Sequence, residues 1–377
     1  MKKKIVSLAL SALLLVSCSS GNSSNAGGSN LTAESVKSAY NGADELKGKA
    51  FDKFSLPSDF NIADLEKVYT IKYNTVPPQF DNEKLKELYK RYAGDTYDPN
   101  NLVSDGSFGL MYSGKKTGDI SGIVYDGLIS MKRIENYTGP MDEEITRQRY
   151  YVEGDRDSVI TVNGQDTSIV QEAEIIDKKL NDLFQGFFDP FEIKTVFFEV
   201  ESGGYITFNS AFSLDGVILQ PFGTDYIKTI EGEGREFADV FIVGGQIDTK
   251  NEISLIFVQN IPTILEKQRQ DSLISLKRAV GILQSELPNY SNFDFTDIRL
   301  MYCGLVINPR MSSIVNNAEL DSQQQEVFRA EEKHLDPTWC FFLGTHQIEE
   351  GFRERCVKVN AVTGELFIDI SEDNTGT

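Results

Sequence analysis

The longest apolar run in the chain comes first. Ile5 to Val16 is twelve residues long and follows Lys2-Lys3-Lys4. A helix that crosses a bilayer needs roughly 20 apolar residues, and no later stretch is long and apolar enough to span one. After that run the pattern breaks into short periods. Leu85, Leu88, Tyr89 and Tyr92 recur at helical spacing and predict a helix over Asp81 to Tyr92. Pro77-Pro78 ends the strand-like Val68 to Val76 before it. Phe108 to Tyr112, Ile120 to Tyr125, Leu128 to Ile134, Ile145 to Val152 and Ser158 to Val162 read as strands, and Asp126-Gly127 and Asn163-Gly164 as turns. Residues 31–165 therefore read as an N-terminal α+β domain.

The remainder repeats itself at a period of about 100 residues. A helix over Ser168 to Phe184 has the apolar face Ile169, Ala173, Ile176, Leu180 and Leu183. A second, over Ser272 to Leu287, has Leu273, Leu276, Val280, Leu283 and Leu287. Phe188-Asp189-Pro190-Phe191-Glu192-Ile193 follows the first and Phe293-Asp294-Phe295-Thr296-Asp297-Ile298 the second, each leading into a strand. Phe241 to Ile247 is echoed by Phe342 to Ile348, and Val258-Gln259-Asn260 by Lys358-Val359-Asn360. The expected fold class is α+β: antiparallel sheets each covered by a helix, with a duplicated helix-plus-sheet unit at the C-terminal end. Its units are residues 166–268 and 269–377.

Charge narrows the partners. The chain has 37 basic and 57 acidic residues, a formal charge of −20. A field of that sign repels phosphate backbones, which argues against nucleic acid as a partner.

The first run acquires a meaning from what flanks it. A positive start, a short apolar stretch and a small residue before the cut form a secretory signal. Leu15-Val16-Ser17-Cys18 resembles the end of a bacterial lipoprotein signal. That resemblance implies removal of residues 1–17 and a lipidated Cys18, with the bilayer as partner through that residue. Loss of three lysines with the leader would take the charge from −20 to −23. Two or more acyl chains hold a protein stably at a membrane, whereas one does so marginally. Residues 18–30, rich in Ser, Gly and Asn, read as a flexible tether with a reach of roughly 20 Å. The expected location is the outer face of the cytoplasmic membrane.

Three further cysteines occur, Cys303, Cys340 and Cys356. A hairpin centred near Ile348 would set Cys340 opposite Cys356, a candidate but strained disulfide, since facing Cβ atoms lie about 4.5–5.5 Å apart and a bridge prefers about 3.8 Å. Three buried thiols is the competing reading. The two histidines, His334 and His346, make a poor metal set, because His346 lies six residues along a strand from Cys340. No metal or cofactor is expected. No Gly-x-Ser-x-Gly, His-Glu-x-x-His or phosphate-binding loop is present, so no catalytic residues are assigned. A carboxylate-based hydrolase would need two facing acids in a cleft.

The last 70 residues carry a pattern. A strand with Pro337-Thr338-Trp339 is followed by Val359-Asn360-Ala361-Val362-Thr363-Gly364-Glu365. It resembles PepSY-like domains of bacterial envelope proteins, and the end of extracellular accessory proteins that restrain a sensor kinase in Gram-positive bacteria. The residues themselves read as structural. Trp339 alternates with Phe341 and Leu343 and should pack on the helix Ser272 to Leu287, and Gly364 supplies the positive φ that a turn after Asn360 needs. The resemblance implies interaction or inhibition. The chain is therefore expected to be a membrane-anchored, non-enzymatic protein-interaction or regulatory module with an envelope protein as partner. A solute-, peptide- or glycan-binding lipoprotein is the alternative.

Overall fold

Leu85, Leu88, Tyr89 and Tyr92 do form one buried helical face, on helix α1 (Asn82–Ala93). Tyr89 donates its hydroxyl to the Leu110 carbonyl at 2.8 Å, and Tyr92 donates to that of Met131 at 3.3 Å. Both phenols therefore satisfy their polar ends while burying their rings against a sheet. Helix α2 (Ile169–Leu183) starts at a capping box in which Ser168 accepts from the Gln171 N–H and Gln171 reaches back to the Ser168 N–H. Helix α3 (Leu276–Glu286) is capped by Ser275. It begins four residues later than its apolar periodicity suggests, because Ser272–Leu273 pairs as a short strand with Glu34–Ser35.

The computed structural model describes residues 34–61, 65–74, 82–105, 109–115, 119–125, 128–134, 147–156, 158–220, 227–228, 234–235, 241–289, 291–305, 333–348 and 351–368. Among them α1, α2 and α3 are the only α-helices, and strands dominate. A ten-stranded antiparallel sheet runs Leu102–Asp105, Gly109–Ser113, Ile120–Tyr125, Leu128–Arg133, Ile253–Gln259, Ile242–Ile247, Ile206–Leu214, Glu192–Glu201, Arg147–Tyr151. Val217–Ile218 pairs with Ile206–Leu214 beside that path. An eight-stranded sheet runs Gly234–Arg235, Ile227–Lys228, Leu366–Ile368, Gly351–Asn360, Lys333–Ile348, Tyr69–Asn74, Thr263–Arg269, with Asp297–Leu305 also on Lys333–Ile348.

This corrects the expected fold class. The molecule is mostly β, with large antiparallel sheets, and is not an α+β array of small sheets each under its own helix. The cause is strand pairing across the expected divisions. Leu128–Arg133 pairs with Ile253–Gln259, and Tyr69–Asn74 with Thr263–Arg269. The division at residue 165 falls within the strand Gln165–Ser168, and that at 268 within Thr263–Arg269. A small sheet left alone would expose unpaired edges, and merging sheets removes them. The two large sheets meet where Leu219 bridges Tyr302 and the Gln220 N–H donates to the Tyr302 carbonyl at 2.9 Å. One apolar core contains residues from both sheets and all three helices.

An edge inside the ten-stranded sheet is closed by side chains. Glu192–Glu201 pairs with Arg147–Tyr151 only from Phe197 onward. Before that, α2 supplies the partners. Asn181 accepts from the Ile193 N–H and donates to the Ile193 carbonyl, both at 2.9 Å. Asp177 Oδ1 accepts from the Thr195 N–H at 2.6 Å and its hydroxyl at 2.7 Å. Two residues one helical turn apart thus act as a missing strand.

Candidate functional site

Among the described residues, a groove with uncommitted polar groups is built around one turn. Asn163 and Gly164 both take positive φ, +50° and +77°, closing the hairpin Val159–Val162 and Gln165–Ser168 as a two-residue hairpin turn requires. The turn meets the bend at 201–204. Gly204 has φ +83°, and a Cβ there would lie 2.8 Å from Asn163 Oδ1, so only glycine permits this approach. Its N–H donates to the Glu201 carbonyl at 2.8 Å.

The third wall is the edge strand Arg147–Tyr151, where Arg147 faces Glu201 and Arg149 faces Glu199 across the ladder. Glu201 is buried, with its Oε1 3.2 Å from Arg147 Nε and accepting from Thr207 Oγ1 at 3.3 Å. Arg149 Nε donates to Glu199 Oε1 at 2.8 Å, and its guanidinium lies 4.9 Å from the Phe197 ring centre. The groove between these walls is open to solvent, has a volume of about 1000 Å³, and is lined on its apolar side by Tyr150 and Val159. Val159 is 69% exposed, the most exposed large apolar residue described. Tyr150 packs its ring 5.9 Å from that of Phe198.

A second cleft, of about 360 Å³, gathers Arg91, Arg133 and Lys179 in a strongly acidic molecule. Its cations are already employed. Arg91 donates to the Gln185 carbonyl at 2.8 Å, Arg133 to that of Tyr92 at 2.9 Å, and Lys179 to that of Asn251 at 2.8 Å. These carbonyls lie at or just past the C-terminal ends of α1 and α2 and in the turn after Asp248, where positive charge is favoured. The arrangement fastens two helices and a turn together and does not present an anion site.

The residues singled out by sequence occupy structural places. Trp339 is fully buried, donates to the Ile274 carbonyl at 2.8 Å and meets Tyr40 edge-on at 5.0 Å. Asn360 Oδ1 accepts from the N–H groups of Val362 and Thr363 at 2.8 and 3.0 Å, and Gly364 sits at φ +81°. Cys340 and Cys356 are not bridged. Cys340 lies opposite Lys358, and Cys356 opposite Phe342. Ile348 pairs with Gly351, so the turn is centred beyond Ile348, and this leaves the cysteines diagonal rather than facing. Diagonal neighbours stand about 7–8 Å apart, beyond the usual reach of a disulfide. All three cysteines of this region are buried thiols, with the sulfurs of Cys303 and Cys340 3.6 Å apart. Burial pushes the Cys340 thiol up. No set of three His, Cys, Asp or Glu side chains converges on a metal position among the described residues. Cys18 lies outside the described residues.

Sequence reasoning found the Asn163-Gly164 turn but not the groove, because nothing local links that turn to residues 147–150 or 201–204. An apolar Val159 beside the turn was the one available signal.

No protein-family model matches the chain, and no curated protein matches it. Among solved structures, an uncharacterized protein from Eubacterium rectale ATCC 33656 is similar, at 12% identity and a TM-score of 0.49 over 89% of this chain and 99% of that one.

Proposed function

We propose that this chain is a lipid-anchored extracytoplasmic module that acts by binding an envelope protein, without catalysing a reaction. The leader, Cys18 and the tether support the location, and the PepSY-like pattern of the last strands supports the role. One structural observation supports the docking face. On the side of the ten-stranded sheet turned away from α1 and α2, Val103, Met111 and Ile123 are successive cross-strand neighbours. Beyond Ser130 the row reaches Phe257. Val103 is 50% exposed and the adjacent Leu255 36%. A solvated sheet face ordinarily alternates to polar residues, and a row that is apolar on four of five strands, interrupted only by Ser130, is the chemistry of a contact surface. Cross-linking the full lipoprotein in its native envelope is expected to recover one dominant membrane protein, and Ile123→Asp to abolish that recovery. Recovery of abundant neighbours only, unchanged by the substitution, sinks the reading.

The groove favours a second reading, a ligand-binding lipoprotein. Its volume is at the upper end of small-ligand sites, and it combines an apolar side with a few polar groups.

A further inference from the structure

We infer that the groove between the strand Arg147–Tyr151 and the hairpin Val159–Ser168 takes an extended, uncharged oligosaccharide. The inference deepens the ligand-binding reading and rests on it. The two charges that line the groove, Arg147 and Glu201, pair with each other, so neither a cation nor an anion finds an unused counter-charge there. The field of a −20 molecule further repels polyanionic glycans. What the walls offer is neutral. Among the described residues, the amides of Gln148 and Asn163 and the Ser202 hydroxyl have no hydrogen-bond partner, and they stand on three different walls. An amide provides two donors and an acceptor, and a hydroxyl provides both kinds, which suits ligand hydroxyls of either polarity. Between them Tyr150 and the exposed Val159 supply apolar surface for the C–H faces of sugar rings. The outer edge of Arg147–Tyr151 also has backbone groups with which an extended peptide would pair, and the test separates that occupant from a saccharide.

The test is isothermal titration of the full chain in detergent micelles with an N-acetylglucosamine tetramer, and separately with an uncharged extended peptide. The saccharide is expected to bind, and Gln148→Ala combined with Val159→Ser to weaken it about tenfold or more. Both residues are exposed, and an unchanged thermal unfolding curve shows that the variant is folded. Saccharide binding untouched by the double substitution places the ligand elsewhere and overturns the inference. Peptide binding that the substitution abolishes, with no saccharide binding, overturns the saccharide while leaving the ligand-binding reading intact. Binding of neither overturns both.

Discussion

Asp177 holds a carboxyl group where charge is unfavourable. Burial raises its pKa above the ordinary 3.8, although the Thr195 N–H and hydroxyl and the Lys194 ammonium pull the other way. The folded state therefore binds this proton more tightly than the unfolded state does. The resulting stabilisation is complete below the unfolded value and is lost as pH rises through the raised folded value. Asp177→Asn keeps an acceptor for Thr195 and is expected to flatten the fall of the urea midpoint as pH rises above the ordinary aspartate value. Asp177→Ala leaves the Thr195 N–H unpartnered and is expected to cost about 1–3 kcal/mol. Trp339→Phe, which strips the Ile274 carbonyl of its donor, should cost a similar amount, about 1–3 kcal/mol by urea unfolding. At Gly245 an added Cβ would collide with the Leu255 carbonyl, which is backbone and cannot swing away. At Gly244 it would collide with the Phe257 ring, which can move. Gly245→Ala is thus expected to lower the melting temperature more than Gly244→Ala, as calorimetry would read.

Elements differ in how far they announce themselves. The capping box of α2 is local: Ser168→Ala should cost about 1 kcal/mol in chemical denaturation. Asn181→Ala should cost more than an exposed helix substitution, because it opens both the N–H and the carbonyl of Ile193. All three helices were legible in the spacing of their apolar residues, and several strands in their alternation, but Ile206–Leu214 and Thr263–Arg269 were not among them. The late start of α3 was not, since Ser272–Leu273 is drawn into a strand by Glu34–Ser35, far away in sequence. The hairpin of Lys333–Ile348 and Gly351–Asn360 was legible as a hairpin. Its register was not, because the turn is centred beyond Ile348, where Ile348 pairs with Gly351, and that offset separates the two cysteines. The groove was illegible for the same reason, being a meeting of three segments. Alternation states which face a residue takes and leaves its partner unnamed.

At the scale of the whole molecule, strand exchange between distant segments replaces the separate units that the repeat suggested. Residues 31–165 expressed alone would keep Leu128–Arg133 and Tyr69–Asn74 but lose their partners at 253–259 and 263–269. That fragment is expected to lack a cooperative unfolding transition by circular dichroism, whereas residues 31–377 should show one. Cys18→Ala in the full gene is expected to move the protein from the membrane fraction to the medium, as immunoblotting of the two fractions would show. Retention in the membrane fraction would refute the lipid anchor.

Shared strands also set a clock. Residues 128–132 keep one edge unpaired until residues 255–259 exist, and residues 71–73 also pair with residues 333–335. Contacts so distant in sequence form slowly, because a large loop must close before any pairing repays it. Neither large sheet can finish while the chain is still emerging, so folding follows synthesis instead of accompanying it. A chain with that timetable stays threadable, a state suited to passage through a narrow export channel before its sheets assemble.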